Sequence, residues 1–399
     1  MKKKIKIISC ALLGIILLGS TASADGYKPV DAEISETEEE SKETAAPNFE
    51  LPVRSAVLMD FSTGTVLYEQ NPDEALPPAS VTKVMTLLLI MEAVDSGQIS
   101  LDDMISVSDY AASMGGSQVY LEPGETMRAE DLIKSIVIAS ANDAALTMAE
   151  AVAGSESEFV SRMNARATDL GMANTNFENV TGLDDDAQNH VTSARDIALM
   201  SRALMSHSKI FDFTTRWMDT IRDGAFGLTN TNRLIRFYNG ATGLKTGSTS
   251  KAKFCISATA ERDGLHLIAV IMGAETRDER NDAAKTLLDW GFANYAIYTD
   301  DGGESEDIPV LGGESESVRG IYGKCEILTE KGAAGNITAE VKPDESVAAP
   351  VKKGDPIGKV QYMLSGEIVR EAELTADRDV DKISFFGVFI RMLAGYLIK

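Results

Sequence analysis

The chain is poor in the residues that staple small secreted folds or build metal centres. Of 399 residues, three are cysteine and three are histidine. Cys10 lies in an apolar leader, and Cys255 and Cys325 fall in stretches that read as different domains. A disulfide framework is therefore not expected, only two isolated thiols. His190, His207 and His266 are scattered, without an H-E-x-x-H pair, which argues against a zinc carboxypeptidase; no metal or other cofactor is expected. Positive charge is also scarce. Lysine and arginine number 38 against 61 acidic residues, a formal net charge of -23. Such a chain repels nucleic acid and carries no basic stripe that would argue otherwise. It also repels anionic headgroups, so attachment to a membrane must be mainly apolar. No repeat of solenoid length is present.

What the chain does have is a clear order of segments. Lys2, Lys3, Lys4 and Lys6, the apolar run Ile7 to Leu18 and the small residues Ala22-Ser23-Ala24 read as a secretory signal peptide over 1–24. Residues 25–50 are polar and acidic, with Glu38-Glu39-Glu40 in the middle, and read as a disordered spacer. Folded sequence starts near Leu51. Ser55 to Asp60 and Thr65 to Tyr68, joined through Gly64, predict a β-hairpin. Lys253 to Ala260 and His266 to Met272, joined by Arg262-Asp263-Gly264, predict a second. Between them lie helical patterns from Ala129 to Gly154, broken near Ser140, and from Thr192 to Met205, where Ser193 and Asp196 suggest a capping box. Arg280 to Tyr295 reads as a further helix. The expectation is an α+β domain over 51–299, long enough for a large core. An acidic linker over Asp300 to Glu306 and a small all-β domain over 306–376 follow. In 380–399 the run Ile383 to Ile398 spans about 24 Å as a helix, short of a ~30 Å hydrocarbon core. Asp381, Ser384, Gly387, Arg391, Gly395 and Lys399 form one polar stripe along it, the pattern of a helix lying in a membrane interface.

The chemistry concentrates around Ser80-Val81-Thr82-Lys83. Pro77-Pro78 before it and Val84 to Met91 after it predict a helix start that leads into a buried helix. Positions three apart share a helix face, so the Lys83 amine can approach the Ser80 hydroxyl. Desolvation lowers a lysine pKa, and a neutral amine can serve as the base that a serine nucleophile needs. By itself the motif, common by chance, reads rather as a helix cap and a surface lysine. Two more motifs change that weight: Ser140-Ala141-Asn142 in a loop between helices and Lys245-Thr246-Gly247 on a strand. Together with Ser80 and Lys83 they complete the S-x-x-K, S-x-N, K-T-G set of penicillin-binding proteins and class A β-lactamases.

With these motifs the chain resembles the low-molecular-mass penicillin-binding proteins that act as D-alanyl-D-alanine carboxypeptidases. Pro78 to Thr86, Ser140 to Ala145, Asn179 to Leu183, Asn230-Thr231-Asn232, Gly243 to Gly247 and Trp290-Gly291-Phe292 all look like that family's blocks. The β-rich second domain and terminal amphipathic segment match as well. The resemblance implies a penicillin-binding, serine β-lactamase-like α+β domain, an antiparallel sheet with a helical cluster, working on the outer face of the cytoplasmic membrane. It implies that Ser80 attacks the bond between two D-alanines of a peptidoglycan pentapeptide, that Lys83 takes the proton, and that Ser140 relays it. Asn142 would meet substrate amides, and Lys245 would raise the positive potential. Thr246 and Arg280 would hold the terminal carboxylate, and the Ser80 and Ser248 backbone N–H groups, beside Gly247, would form the oxyanion hole. β-Lactams would act as covalent inhibitors. Some members carry histidine where this chain has Ser248. The rival readings are a serine β-lactamase, for which Glu178 lies at a conceivable distance after Ser140 although Glu178-Asn179-Val180 does not look like its glutamate loop, and a non-catalytic cell-wall binding protein on the same scaffold.

Overall fold

The structure is a computed structural model that describes residues 49–183 and 187–397, with side chains to residue 394. The expected signal peptide and nearly all of the acidic spacer lie outside the described residues. Strands β1 (Ser55–Asp60) and β2 (Val66–Gln70) form the first hairpin. β3 (Ala241–Thr249), β4 (Lys253–Arg262) and β5 (Leu265–Ala274) come from the end of the domain. They join one five-stranded sheet in the order β2-β1-β5-β4-β3, antiparallel throughout. Successive residues of a strand face opposite sides. Val57, Met59, Ile268 and Val270 therefore enter the core on one side, and Ala56, Leu58, Leu267 and Ala269 the core on the other. Both faces are covered, which is why all ten residues of β5 are buried.

The first face carries the helical cluster: α1 (Lys83–Asp95), α2 (Ala129–Ile138), α3 (Asn142–Ala153), α4 (Glu156–Asp169) and α5 (Ala194–Met205). Eleven of the thirteen α1 residues are buried, as the dense apolar run predicts for a helix surrounded on all sides. α4 is absent from the sequence reading. The Ser193 hydroxyl caps α5 by accepting from Asp196 N, but the expected reciprocal bond is not made. The Asp196 carboxylate instead accepts from Asn174 N and Thr175 Oγ1. α6 (Arg277–Asn294) covers the other face and starts three residues earlier than expected, set by a capping box between Thr276 and Glu279.

The expected linker over Asp300 to Glu306 is strand. β6 (Tyr295–Asp300) is followed after two residues by β7 (Gly303–Leu311). With β8 (Ser317–Tyr322), β9 (Cys325–Glu330), β10 (Ile337–Pro343), β11 (Val347–Ala348), β12 (Pro356–Leu364) and β13 (Glu367–Ala376) they build a pair β6-β9 and a sheet ordered β10-β12-β13-β8-β7-β11. Their core is Ile308, Val318, Val360, Tyr362 and Leu374. Cys255 and Cys325 are both buried and unpaired. α7 (Phe385–Leu397) ends the described chain with Phe385 90% and Phe386 71% exposed. Its Arg391 donates to Glu314 O at 2.8 Å. Among the described residues no helix is long and apolar enough to cross a membrane.

Candidate active site

Ser80 sits in a single 3-10 turn, Ala79–Thr82, that runs straight into α1. The turn is fixed on several sides. Ala79 holds a left-handed backbone, φ 48°, and its carbonyl accepts from Thr82 Oγ1 at 2.9 Å. His190 Nδ1 accepts from Glu178 N, so Nε2 carries the proton and donates to Thr82 Oγ1 at 2.8 Å. Gly182 presses against the same turn. A Cβ there would stand 1.9 Å from Ala79 O, and φ is +81°, so only glycine is accommodated.

Lys83 is fully buried at the start of α1. Its Nζ lies 2.9 Å from Ser80 Oγ and donates to Thr181 O at 3.0 Å. Burial first, then the positive charge of Lys245, holds the Lys83 amine well below the ordinary lysine range; Asp143 opposes both. A neutral amine at this distance can accept the hydroxyl proton of a serine.

Ser140, between α2 and α3, also holds a left-handed backbone, φ 61°. Non-glycine residues in that region are strained by roughly 1–3 kcal/mol and cluster at functional sites. Its Oγ accepts from Lys245 Nζ at 2.8 Å, and the same amine donates to Thr246 O at 3.0 Å. Burial and the neighbouring Arg280 push Lys245 down to about 7. Thr246 Oγ1 donates to Thr231 Oγ1 at 2.8 Å, which ties β3 to the 230–232 loop. β3 also passes very close to the nucleophile turn: a Cβ on Gly247 would lie 2.8 Å from Ser80 N and from Pro78 O. Arg280, 3% exposed in the first turns of α6, is held by two bonds to Asn281 Oδ1 at 2.9 and 3.1 Å. Burial and Arg277 lower it to about 10. It is not the solvated helix residue that its acidic neighbours Asp278 and Glu279 would suggest.

Ser80, Ser140, Thr246, Gly247, Ser248 and Arg280 all line one cavity of about 330 Å³, with Lys83 and Lys245 directly behind the two serines. Asn142 is different. It is 2% exposed and is not among the lining residues. Its Nδ2 donates to Gly115 O at 2.7 Å, and its Oδ1 has no partner among the described residues. The sequence reading gave no role to Ser117, Thr231, Arg233 or Arg277, which also line the cavity, nor to the Thr181 carbonyl that receives Lys83. Thr231 lies inside a recognised block; Arg277 is marked by no local pattern. Glu178 accepts from Gln188 N and Asn189 N and lines a separate cavity with Tyr110 and Glu156. Among the described residues no carboxylate lines the Ser80 cavity.

The chain matches known proteins over most of its length. Residues 40–276 match the family model described as D-alanyl-D-alanine carboxypeptidase, and residues 295–382 match the C-terminal domain of penicillin-binding protein 5. The D-alanyl-D-alanine carboxypeptidase DacF of Bacillus subtilis is 40% identical over 98% of each chain. The crystal structure of penicillin-binding protein 5 from Haemophilus influenzae is 31% identical, with a TM-score of 0.71 over 84% of this chain and 99% of that one. Penicillin-binding protein D2 of Listeria monocytogenes, solved in its ampicillin-bound form, is 34% identical, with a TM-score of 0.57 over 62% of this chain and all of that one. The chain belongs to the D-alanyl-D-alanine carboxypeptidase family of serine peptidases.

Proposed function

We propose that this enzyme removes the terminal D-alanine from peptidoglycan stem peptides through an acyl-enzyme on Ser80. The observation that carries the reading is the 2.9 Å approach of the buried, charge-averse Lys83 amine to Ser80 Oγ. Lys83 takes the hydroxyl proton as Ser80 Oγ attacks the carbonyl of the penultimate D-alanine. The N–H groups of Ser80 and Ser248 receive the oxyanion, and such preorganised donors are worth about 3–4 kcal/mol each. The Ser140 hydroxyl delivers a proton to the departing amine and takes one from Lys245, which donates to it, and free D-alanine leaves. Water then opens the ester, giving a proton back toward Lys245, while Lys83 returns its proton to Ser80, which is regenerated. Lys245, Thr246 and Arg280 hold the terminal carboxylate, because charge-assisted bonds to a carboxylate are the strong ones. Asn142 steadies the acyl chain once its amide turns from Gly115 O. β-Lactams enter by the same attack and stay as esters. A class A β-lactamase mechanism needs a glutamate beside the ester, and the cavity offers none among the described residues.

The chain is read as exported by residues 1–24 and held at the outer face of the cytoplasmic membrane by α7, whose exposed Phe385, Phe386, Phe389 and Ile390 suit an apolar interface. The test of the chemistry is direct. Fluorescent penicillin should acylate the peptide that contains Ser80, and Ser80→Ala should abolish both labelling and D-alanine release. A label on another serine, or an active Ser80→Ala enzyme, would overturn the assignment.

A further inference from the structure

Acidic residues outnumber basic ones by 61 to 38 in the chain, yet the Ser80 cavity inverts that balance. Its described lining contains Arg233, Arg277 and Arg280 and no carboxylate. Arg280 is buried and bonded to Asn281, but Arg277 and Arg233 are exposed and lack a carboxylate partner among the described residues. Arg277 stands one turn before Arg280 on the same face of α6, and its charge is felt by Arg280. Arg233 follows the 230–232 loop and lines the same cavity beside Thr231, with its guanidinium 5.5 Å from the Phe237 ring centre. The nearby acids are engaged elsewhere or lie outside the cavity. Glu279 closes the Thr276 capping box, Glu275 pairs with Lys253 and Asp282 with Lys285, while Asp278 lines an adjoining cavity that Arg233 also borders, without an ion pair between the two.

We propose that Arg233 and Arg277 form a cationic entrance that steers anionic substrate ends, a peptide carboxylate above all, into the cavity. This rests on the carboxypeptidase reading and extends it to two residues that need not touch the reacting atoms. An acidic surface repels a substrate that ends in a carboxylate, and a cleft lined by one sign of charge raises association rates by about 10–1,000-fold. The two arginines are steering residues. Their effect lives in encounter and binding, so it is screened by salt, whereas the proton transfers on Lys83 are not.

The test uses the full chain and an N-acetylated tripeptide ending in D-alanyl-D-alanine. kcat/KM is measured from ~10 mM to ~1 M salt, over which the Debye length falls from about 30 to about 3 Å. The double variant Arg233→Gln, Arg277→Gln should lose about tenfold in kcat/KM at low salt. The loss should close toward twofold at high salt, with kcat falling less than kcat/KM throughout. Arg277→Lys should keep the wild-type salt slope, because steering needs charge and not the guanidinium fork. Lys359→Gln, in the second sheet domain, removes the same unit charge and should change neither. A loss that is equal at all salt concentrations, or an Arg277→Lys enzyme as impaired as Arg277→Gln, would overturn steering in favour of packing or direct contact. Failure of the wild type to release D-alanine would instead sink the carboxypeptidase reading, and the entrance with it.

Discussion

Gly182→Ala tests whether the 179–183 loop holds the nucleophile in place. The loop is clamped from within, since Asn179 Oδ1 accepts from the N–H groups of Thr181 and Gly182 at 3.1 and 2.7 Å. Its carbonyls face α1, where Val180 O accepts from Thr86 Oγ1 at 2.7 Å and Thr181 O from Lys83 Nζ at 3.0 Å. A methyl group on residue 182 would lie 1.9 Å from Ala79 O and 2.7 Å from Thr82 Oγ1. An ordinary carbon–oxygen contact is about 3.3 Å, so loop and turn must separate by about 1.4 Å. A 1 Å misplacement of reacting groups can cost about 100-fold in rate, and penicillin acylation should fall by at least that factor. Stability should fall as well. Overpacking costs about 1–3 kcal/mol and a left-handed alanine about 1–2 kcal/mol. Together these correspond to a melting point lower by roughly 4–20 °C for a domain of this size. Gly97→Ala separates the two effects. Gly97 has φ +75° but no atom within 4 Å of the added carbon, so it should lose only the conformational part and acylate normally. A Gly182→Ala enzyme that acylates at the wild-type rate would refute the clamp.

Three further outcomes are expected. Acylation should decline as pH falls, because only the neutral Lys83 amine accepts a proton, and its lowered pKa moves that limb to lower pH without removing it. Lys83→Arg should be inactive because a guanidinium stays charged, and a rate that stays flat while the folded enzyme is acidified would contradict both statements. His266, whose Nε2 is 2.8 Å from Thr242 Oγ1, is lowered by burial from its ordinary 6.5 to about 4, and Glu261, 3.9 Å from Nδ1, is half in solvent and does not offset this. Between those values only the unfolded chain takes up a proton, so stability should fall by about 3 kcal/mol as pH drops from 6.5 to 4. The urea midpoint of His266→Gln should track pH less steeply than that of the wild type, and parallel curves would exclude the effect. Truncation after Ser384 should release a soluble, active enzyme and keep the Val351–Val380 and Gly313–Lys382 bridges; salt alone should not release the intact protein, and if it does, α7 is not an apolar anchor.

Some of this was legible in the sequence for simple physical reasons. The run from Val84 to Met91 offers no polar phase, so α1 had to be central. Ser80, Lys83, Ser140 and Lys245 are residue types that the proposed chemistry cannot replace, and they fall at a helix start, an interhelix break and a strand. α4 was hidden because only Phe159, Met163 and Ala167 are buried along its fourteen residues. The acidic run at 300–306 looked like linker because composition was read without a partner. Asp307 sits opposite Arg319 on β8, and Arg319 bonds both Asp307 and Glu304. The Thr181 contribution is a backbone carbonyl, which the side chain at that position does not report. Arg277 follows a strand and precedes an unremarkable helix turn, and only the folded cavity brings it beside Arg280.

The cations of the site form an ordered series from outside to inside, and each sets the state of the next. Exposed Arg277 depresses buried Arg280, Arg280 depresses Lys245, and Lys245 depresses Lys83. Burial is the larger cause at every step, and the mutual repulsion adds to it. Lys83, the member that touches Ser80, is fully buried and held well below the ordinary lysine range. A substrate carboxylate received at the outer end relieves repulsion there first, which favours a charged Lys245 beside Ser140 while Lys83 remains shielded behind Thr181 O. In the proposed mechanism the amine behind Ser140 and the base that activates Ser80 are both lysines. They differ in role because of what surrounds them, not because of what they are.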